Sequence, residues 1–188
     1  MEQKSTQPQI SLLKTETRVL LISNSIDWNP LHWLSLLIRI FTYGPNHAAL
    51  LEHGLVKEMV GSGYKETPLE EWLPMTRREV KVYRPLVELQ QVDISGGYGF
   101  LDLVQFFLHI VRKKWLLRGN DWNGRDGVRL MPGVFCSEYI GLLLGREDAH
   151  LLAPADLQHV PELELELEFV TSATGVQVVF CRAGAAAV

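Results

Sequence analysis

Residues 46–60 read NHAALLEHGLVKEMV, two short apolar runs on either side of the polar break EHG. Apolar runs that flank a polar, glycine-containing break are typical of a β-hairpin. A turn centred on Glu52 and His53 places His47 directly opposite Glu58. Opposed residues point to the same face of a hairpin, with β-carbons about 4.5–5.5 Å apart. The sequence therefore predicts that His47 and Glu58 are cross-strand neighbours within hydrogen-bonding reach.

A carboxylate in that position has a defined chemical use. It can orient an imidazole and stabilise its protonated form, as the third member of a catalytic triad does. The prediction depends on register, because a slip of one residue would send His47 and Glu58 to opposite faces. Considered without Glu58, His47 is more typical of a satisfied structural histidine.

Further apolar patterns on both sides of the hairpin predict the rest of the domain. Strands are predicted at residues 18–23 (RVLLIS), 79–89 (EVKVYRPLVEL), 163–169 (LELELEF) and 176–181 (VQVVFC). Helices are predicted at residues 31–41, from the capping box that begins at Thr67 through Trp72, at 99–117 and at 134–144. The expected class is α+β, with helix 134–144 packed against a small antiparallel sheet of strands near 46–51, 55–60 and 79–84.

Cys136 is the leading candidate for chemistry. It falls in the first turn of the predicted helix 134–144, after the helix-breaking pair Pro132-Gly133. Unpaired backbone N–H groups and the positive end of the helix dipole favour a thiolate at that position. The pattern by itself also fits a buried structural cysteine, which is the interpretation we give to Cys181 at the end of a strand.

Composition limits the classes of partner and cofactor. The chain has 188 residues, 47% hydrophobic and 21% charged, which predicts one domain over residues 18–183 after a loose N-terminal arm, 1–17. A net charge of −4 gives no broad basic surface, so a nucleic-acid partner is not expected. The sequence has six histidines but neither an HExxH nor a CxxC motif, so we predict no metal or other cofactor. A polar N-terminus without a secretory core and only two cysteines predict reduced thiols in the cytoplasm.

Five short motifs in order along residues 18–160 resemble the circularly permuted NlpC-type papain-like proteins, in particular the YiiX-type branch. They are the hairpin with His47 and Glu58, TPLEEW at 67–72, GGYGFLDLVQFF at 96–107, CSE at 136–138 and APADL at 153–157. One departure is the first strand, where Arg18-Val19 stands in place of the Gly-Asp pair that often opens the family's domain.

The resemblance implies a permuted papain-like fold, in which a small antiparallel sheet or barrel packs against the helix that carries the cysteine. It implies Cys136 as nucleophile beside His47 as base and Glu58 as third member, with a thiol pKa below the usual value of about 8.5. The expected reaction is cleavage of a peptide-like or cell-wall-peptide-like amide through a thioester. The backbone N–H of Cys136 is the first expected oxyanion donor, and the polar candidates for a second are Asn24, Asn46 and Tyr98.

Two alternatives stay open from the sequence. The same fold also serves acyl hydrolases and transferases that act on lipid esters or thioesters, and it can serve as a catalytically silent binding domain. The expected partner is a small peptide-like or acyl substrate. Contact of the aromatic segment 28–41 with a membrane is less favoured than packing of that segment on the core.

Overall fold

The structure is a computed structural model that describes residues 15–24, 44–60, 62–74, 78–92, 134–172 and 175–181. The strands are β1 (Arg18–Asn24), β2 (His47–Glu52), β3 (Leu55–Val60), β4 (Gly63–Pro68), β5 (Arg78–Pro85), β6 (Leu163–Ser172) and β7 (Gly175–Cys181). The helices are α1 (Leu69–Trp72) and α2 (Cys136–Leu143), with 3-10 turns at Ala149–Leu151 and Asp156–His159.

The described strands form one antiparallel sheet in the order β4-β3-β2-β1-β5-β6-β7. Its seven strands make it larger than the small sheet that the sequence predicts. Helix α2 packs on β2 and β3, so the predicted contact between the cysteine helix and the hairpin is confirmed. In the described ranges every strand pair is antiparallel, which excludes a doubly wound parallel sheet there.

Both faces of the sheet are covered by apolar clusters. Ala48 and Leu50 of β2 belong to the cluster that contains α2, whereas Ala49 and Leu51 belong to the cluster around Trp72 of α1. This division follows from the alternation of side chains along a strand. Strand β2 is therefore buried on both faces, which explains its uninterrupted run of apolar residues.

The register of the β2–β3 hairpin differs from the predicted one by two residues. Glu52 pairs with Leu55, and Ala49 stands opposite Glu58 in place of His47. The two-residue turn is His53-Gly54, and both residues have positive φ, 49° and 77°. Two-residue turns of this kind match the right-handed twist of the flanking strands, and glycine adopts the second position without steric cost.

The two described helices lie close to their predicted positions. Helix α2 begins at Cys136 and ends at Leu143, slightly inside the predicted 134–144. Helix α1 forms without the predicted Thr67 cap, because Thr67 is a strand residue paired with Val56. The N–H of Leu69 instead donates to the carbonyl of Gly54, 2.9 Å away.

Several predictions concern residues beyond the described ranges. They are the helices at 31–41 and 99–117, residue Tyr98, and the arm up to residue 14. Among the residues that the structure does describe, no helix combines the length and apolar character needed to cross a bilayer.

Candidate active site

Cys136 is the first helical residue of α2. Phe135 precedes it in an extended conformation as the N-cap, with φ −97° and ψ 169°. The carboxylate of Glu138, in the first turn, accepts a hydrogen bond from the N–H of Phe135 at 3.4 Å. The side of α2 that faces the sheet is apolar and includes Ile140 and Leu143, so Cys136 is held between helix and sheet with only 4% of its surface exposed. The thiol thus lies at the positive end of a helix and mostly out of water.

His47 and Glu58 are joined by a hydrogen bond. Nε2 of His47 lies 2.9 Å from Oε2 of Glu58, and the two side chains are 15% and 8% exposed. Because Ala49 is opposite Glu58, His47 is the diagonal neighbour of Glu58, and a register shift of two residues leaves both on one face. The predicted common face and hydrogen-bonding reach are confirmed, whereas the predicted direct opposition is wrong.

The thiol of Cys136 meets the hairpin where β2 and β3 stop pairing. The ladder between these strands ends at Ala49 and Glu58. The Cys136 thiol is hydrogen-bonded to the imidazole of His47, which confirms that the two residues are neighbours. Since Glu58 occupies Nε2, the nitrogen that remains for the sulfur is Nδ1. One imidazole therefore links the thiol to the carboxylate.

Two backbone groups complete the surroundings of the sulfur. The N–H of Ala48, from β2, and the N–H of Ser137, from the first turn of α2, both donate hydrogen bonds to it. Such donors stabilise a thiolate more than a neutral thiol. Sequence analysis missed the contribution of Ala48, because a backbone donor leaves no mark in the identity of its side chain.

The electrostatics of the pair favour charge separation. Burial pulls the pKa of His47 down, but the Cys136 thiolate and the Glu58 carboxylate outweigh it and raise that pKa to about 10. Burial pushes the pKa of Cys136 up, while the charge and hydrogen bond of His47 and the two backbone donors bring it below its usual value. The direction of the Cys136 shift agrees with the sequence-based prediction. Both shifts act in the direction of an imidazolium beside a thiolate.

The structure describes two of the three polar candidates for the second oxyanion donor. Asn46 directly precedes His47 and is buried, and its backbone N–H donates to the carbonyl of Ile22 at 3.0 Å. Asn24 is the last residue of β1. Tyr98 lies outside the described residues. The N–H of Cys136 at the start of α2 keeps its place as the first candidate, and the second donor stays a prediction.

No cluster of three or more histidine, cysteine or acidic side chains suited to a metal ion occurs within the described parts of the chain.

No family model matches this sequence, and no curated protein and no solved structure matches the chain. The chemistry is accordingly inferred from the residues and their geometry.

Proposed function

We propose that this protein is a cysteine-dependent hydrolase or acyltransferase of permuted papain-like type that cleaves a peptide-like amide through a thioester. The observation that carries the proposal is the continuous hydrogen-bonded series from Cys136 through His47 to Glu58. A buried cysteine with a merely structural role needs no imidazolium beside it and no backbone N–H groups aimed at its sulfur. Perturbed pKa values with specific charged partners are typical of catalytic groups.

The reaction begins from the ion pair. The thiolate of Cys136 attacks the carbonyl carbon of the amide, and the carbonyl oxygen becomes an oxyanion within reach of the Cys136 N–H. His47 gives its proton to the amide nitrogen as the C–N bond breaks, which releases the amine and leaves a thioester. His47, now neutral, takes a proton from water or another acceptor as that acceptor attacks the thioester. Cleavage of the C–S bond then returns the thiolate and the imidazolium.

Glu58 serves the reaction without contacting the substrate carbonyl. Its hydrogen bond to Nε2 fixes the ring so that Nδ1 faces the sulfur, and its negative charge stabilises the imidazolium. This division of tasks matches that of a Cys-His-carboxylate triad.

The order of the elements supports the permuted arrangement. In this chain the strands with His47 and Glu58 precede the helix with Cys136, and that helix begins against an antiparallel sheet. A papain-like site requires only that the cysteine helix abut the strand that carries the histidine, and chain order does not affect this contact.

Alkylation kinetics test the nucleophile. The rate of reaction with iodoacetamide, followed against pH, reports the thiolate fraction of Cys136. We expect fast labelling that persists well below about pH 8.5, the usual pKa of a cysteine thiol. Cys136→Ser should abolish the fast phase, and Cys181→Ser is the matched control that should retain it. If Cys136 reacts no faster than an unfolded peptide thiol at any pH, the catalytic proposal fails and a silent binding domain takes its place.

A substrate panel tests the class of bond. Peptide amides, lipid esters and thioesters should be compared on wild type and on Cys136→Ser, which separates enzymatic turnover from background hydrolysis. We expect turnover of peptide-like amides that depends on Cys136. Turnover of esters or thioesters alone would contradict the amide assignment and indicate the lipid-acting branch of the same chemistry.

A further inference from the structure

The segment that follows α2 contacts the nucleophile's helix directly. The hydroxyl of Ser137 donates a hydrogen bond to the carbonyl of Leu152 at 2.7 Å, and Ser137 is fully buried. A few residues later on the helix, a β-carbon added at Gly141 would lie 2.8 Å from Cβ of Ala149. Helix α2 and residues 149–152 are therefore in close contact along the helix.

The same segment also contacts the chain just before the base. A β-carbon added at Gly44 would lie 3.0 Å from Cβ of Ala155 and 3.0 Å from Nε2 of Gln158. Gly44 is three positions before His47 in the sequence. Only glycine fits this approach without moving a neighbour.

Internal hydrogen bonds hold residues 152–158 in shape between these two contacts. The carboxylate of Asp156 accepts from the N–H of Ala153 at 2.8 Å. The side chain of Gln158 donates to the carbonyl of Ala155 at 3.2 Å and accepts from Lys81 of β5 at 3.1 Å. Because these hydrogen bonds hold the segment together and attach it to the sheet, a displacement at one contact can be passed on to the other.

We propose that Ser137 and Gly44 are positioning residues, through which the brace, residues 152–158, sets the alignment of Cys136 with His47. The inference rests on the proposed function. Cys136 and His47 lie on elements far apart in the chain, and the brace is in contact with the neighbours of both. Alignment matters because a misplacement of about 1 Å can slow an enzymatic step by about 100-fold. Ser137 has a second connection to the site, since its own N–H donates to the sulfur.

Single substitutions test each contact, with alkylation of Cys136 against pH as the readout. Gly44→Ala should displace the segment before His47 by a few tenths of an ångström and slow labelling at about pH 6 by roughly three- to tenfold. Ser137→Ala removes the hydroxyl bond to Leu152 and should slow labelling to a similar extent. In both variants the pH midpoint of labelling should move upward, because the thiolate loses part of its stabilisation.

A compensating substitution separates alignment from general damage. Ala155→Gly removes one of the two atoms that a β-carbon at Gly44 would meet, and the other is the end of the longer Gln158 side chain, which can move aside. The double variant should therefore label within about twofold of wild type. Val80→Ala, in the apolar cluster on the other side of the sheet, is the stability control. It should lower the melting temperature without moving the pH midpoint.

The outcomes separate this inference from the proposed function. Fast labelling in wild type together with unchanged midpoints in Gly44→Ala and Ser137→Ala overturns the positioning role and leaves the proposed function intact. Failure of Ala155→Gly to restore the midpoint of Gly44→Ala overturns the role of the brace. Slow labelling of wild type overturns both.

Discussion

Two hairpins of the same sheet, β2–β3 and β6–β7, are built from different patterns and meet different surroundings. Residues 48–51 of β2 are all buried, with α2 on one side and the Trp72 cluster on the other. Strand β6 alternates leucine and glutamate, and its partner β7 exposes Val179 by 61% and Phe180 by 43%. One hairpin is enclosed by protein and the other lies at the margin of the described sheet.

The difference shows where polar side chains become chemically unusual. On β6 Glu164 reaches Arg84 at the surface, and such an exposed pair changes little. At the end of β2 the polar groups are mostly out of water, so His47, Glu58 and Cys136 must satisfy one another. Mutual satisfaction in a place with little water is what shifts the pKa values of His47 and Cys136.

Packing gives the largest expected contrast between the hairpins. Leu51→Ala on β2 removes a side chain that is fully buried, and we expect it to lower the free energy of unfolding by about 3 kcal/mol. Phe180→Ala on β7 should lower it by about 1 kcal/mol or less, because that ring is already half exposed. Urea denaturation of both variants measures the difference, and equal losses would show that β7 is as enclosed as β2.

Removal of the base should have the next largest effect. In His47→Ala the thiol loses the imidazolium, and the rate of alkylation at about pH 6 should fall by about 100-fold as the Cys136 pKa rises. His53→Asn, at the turn of the same hairpin, is the control and should label like wild type. A rate in His47→Ala within twofold of wild type would mean that the imidazole does not activate the thiol.

The ion pair predicts a distinctive dependence of stability on pH. The pKa of His47 is raised from 6.5 to about 10, so its contribution is present below 6.5 and is lost as pH rises through 10. The pKa of Cys136 is lowered from 9.0, so its contribution is present above 9.0 and is lost as pH falls through the lowered value. Between the lowered pKa of Cys136 and 9.0 the thiol contribution rises with pH, and between 6.5 and about 10 the His47 contribution falls, so the two offset each other where these ranges overlap.

Urea denaturation at several pH values tests this dependence of stability on pH. Above the lowered pKa of Cys136 and below 9.0, the stability of wild type relative to Cys136→Ser should rise with pH by up to about 1.4 kcal/mol per unit, because folding releases the thiol proton. The comparison with Cys136→Ser cancels groups elsewhere in the protein that titrate in the same range. A relative stability that falls with pH throughout this range would contradict the ion pair.

The variant with the smallest expected effect, Glu58→Gln, tests the charge of Glu58 separately from its hydrogen bond. In Glu58→Gln an amide oxygen can still accept from His47, but the negative charge is gone, so the pKa of His47 should fall from about 10. We expect alkylation to slow by up to about tenfold. The step in its pH profile that reports deprotonation of His47 should move to lower pH. Glu168→Gln on β6 is the matched control, and a comparable change there would show that the effect is not specific to the site.

The hairpin shows how far the sequence could predict the site. The sequence analysis predicts a turn at Glu52-His53, whereas the chain turns at His53-Gly54, although an X-Gly pair is a typical signal of a two-residue turn. Moving the turn by one residue shifts the register by two, and a shift of two does not change the face of His47, because side chains alternate with a period of two. The pairing of His47 with Glu58 could therefore be predicted although the register was wrong.

Other features depend on contacts between distant parts of the chain, which local patterns do not encode. Strand β4 was not predicted, since GYKETP has no strong alternation and is stabilised by pairing with β3. The capping role predicted for Thr67 is wrong because Thr67 is a strand residue paired with Val56, and the helix begins after Pro68. The Ala48 donor and the brace contact at Gly44 were likewise invisible, since both arise from the close approach of backbone.

The separation of the proposed base and nucleophile along the chain also fixes the order in which they are made during synthesis. The hairpin with His47 and Glu58 is made first, and Cys136 follows after an interval of roughly several seconds at ribosomal speed. Under the proposed function, the cysteine then enters as an ordinary thiol, because its activation needs the N–H of Ala48 and the imidazole, and by the inference above also residues 152–158, which are made later still. On that proposal a nascent chain carries no activated sulfur, and the activated thiol forms only when the last contacts of the fold form around it.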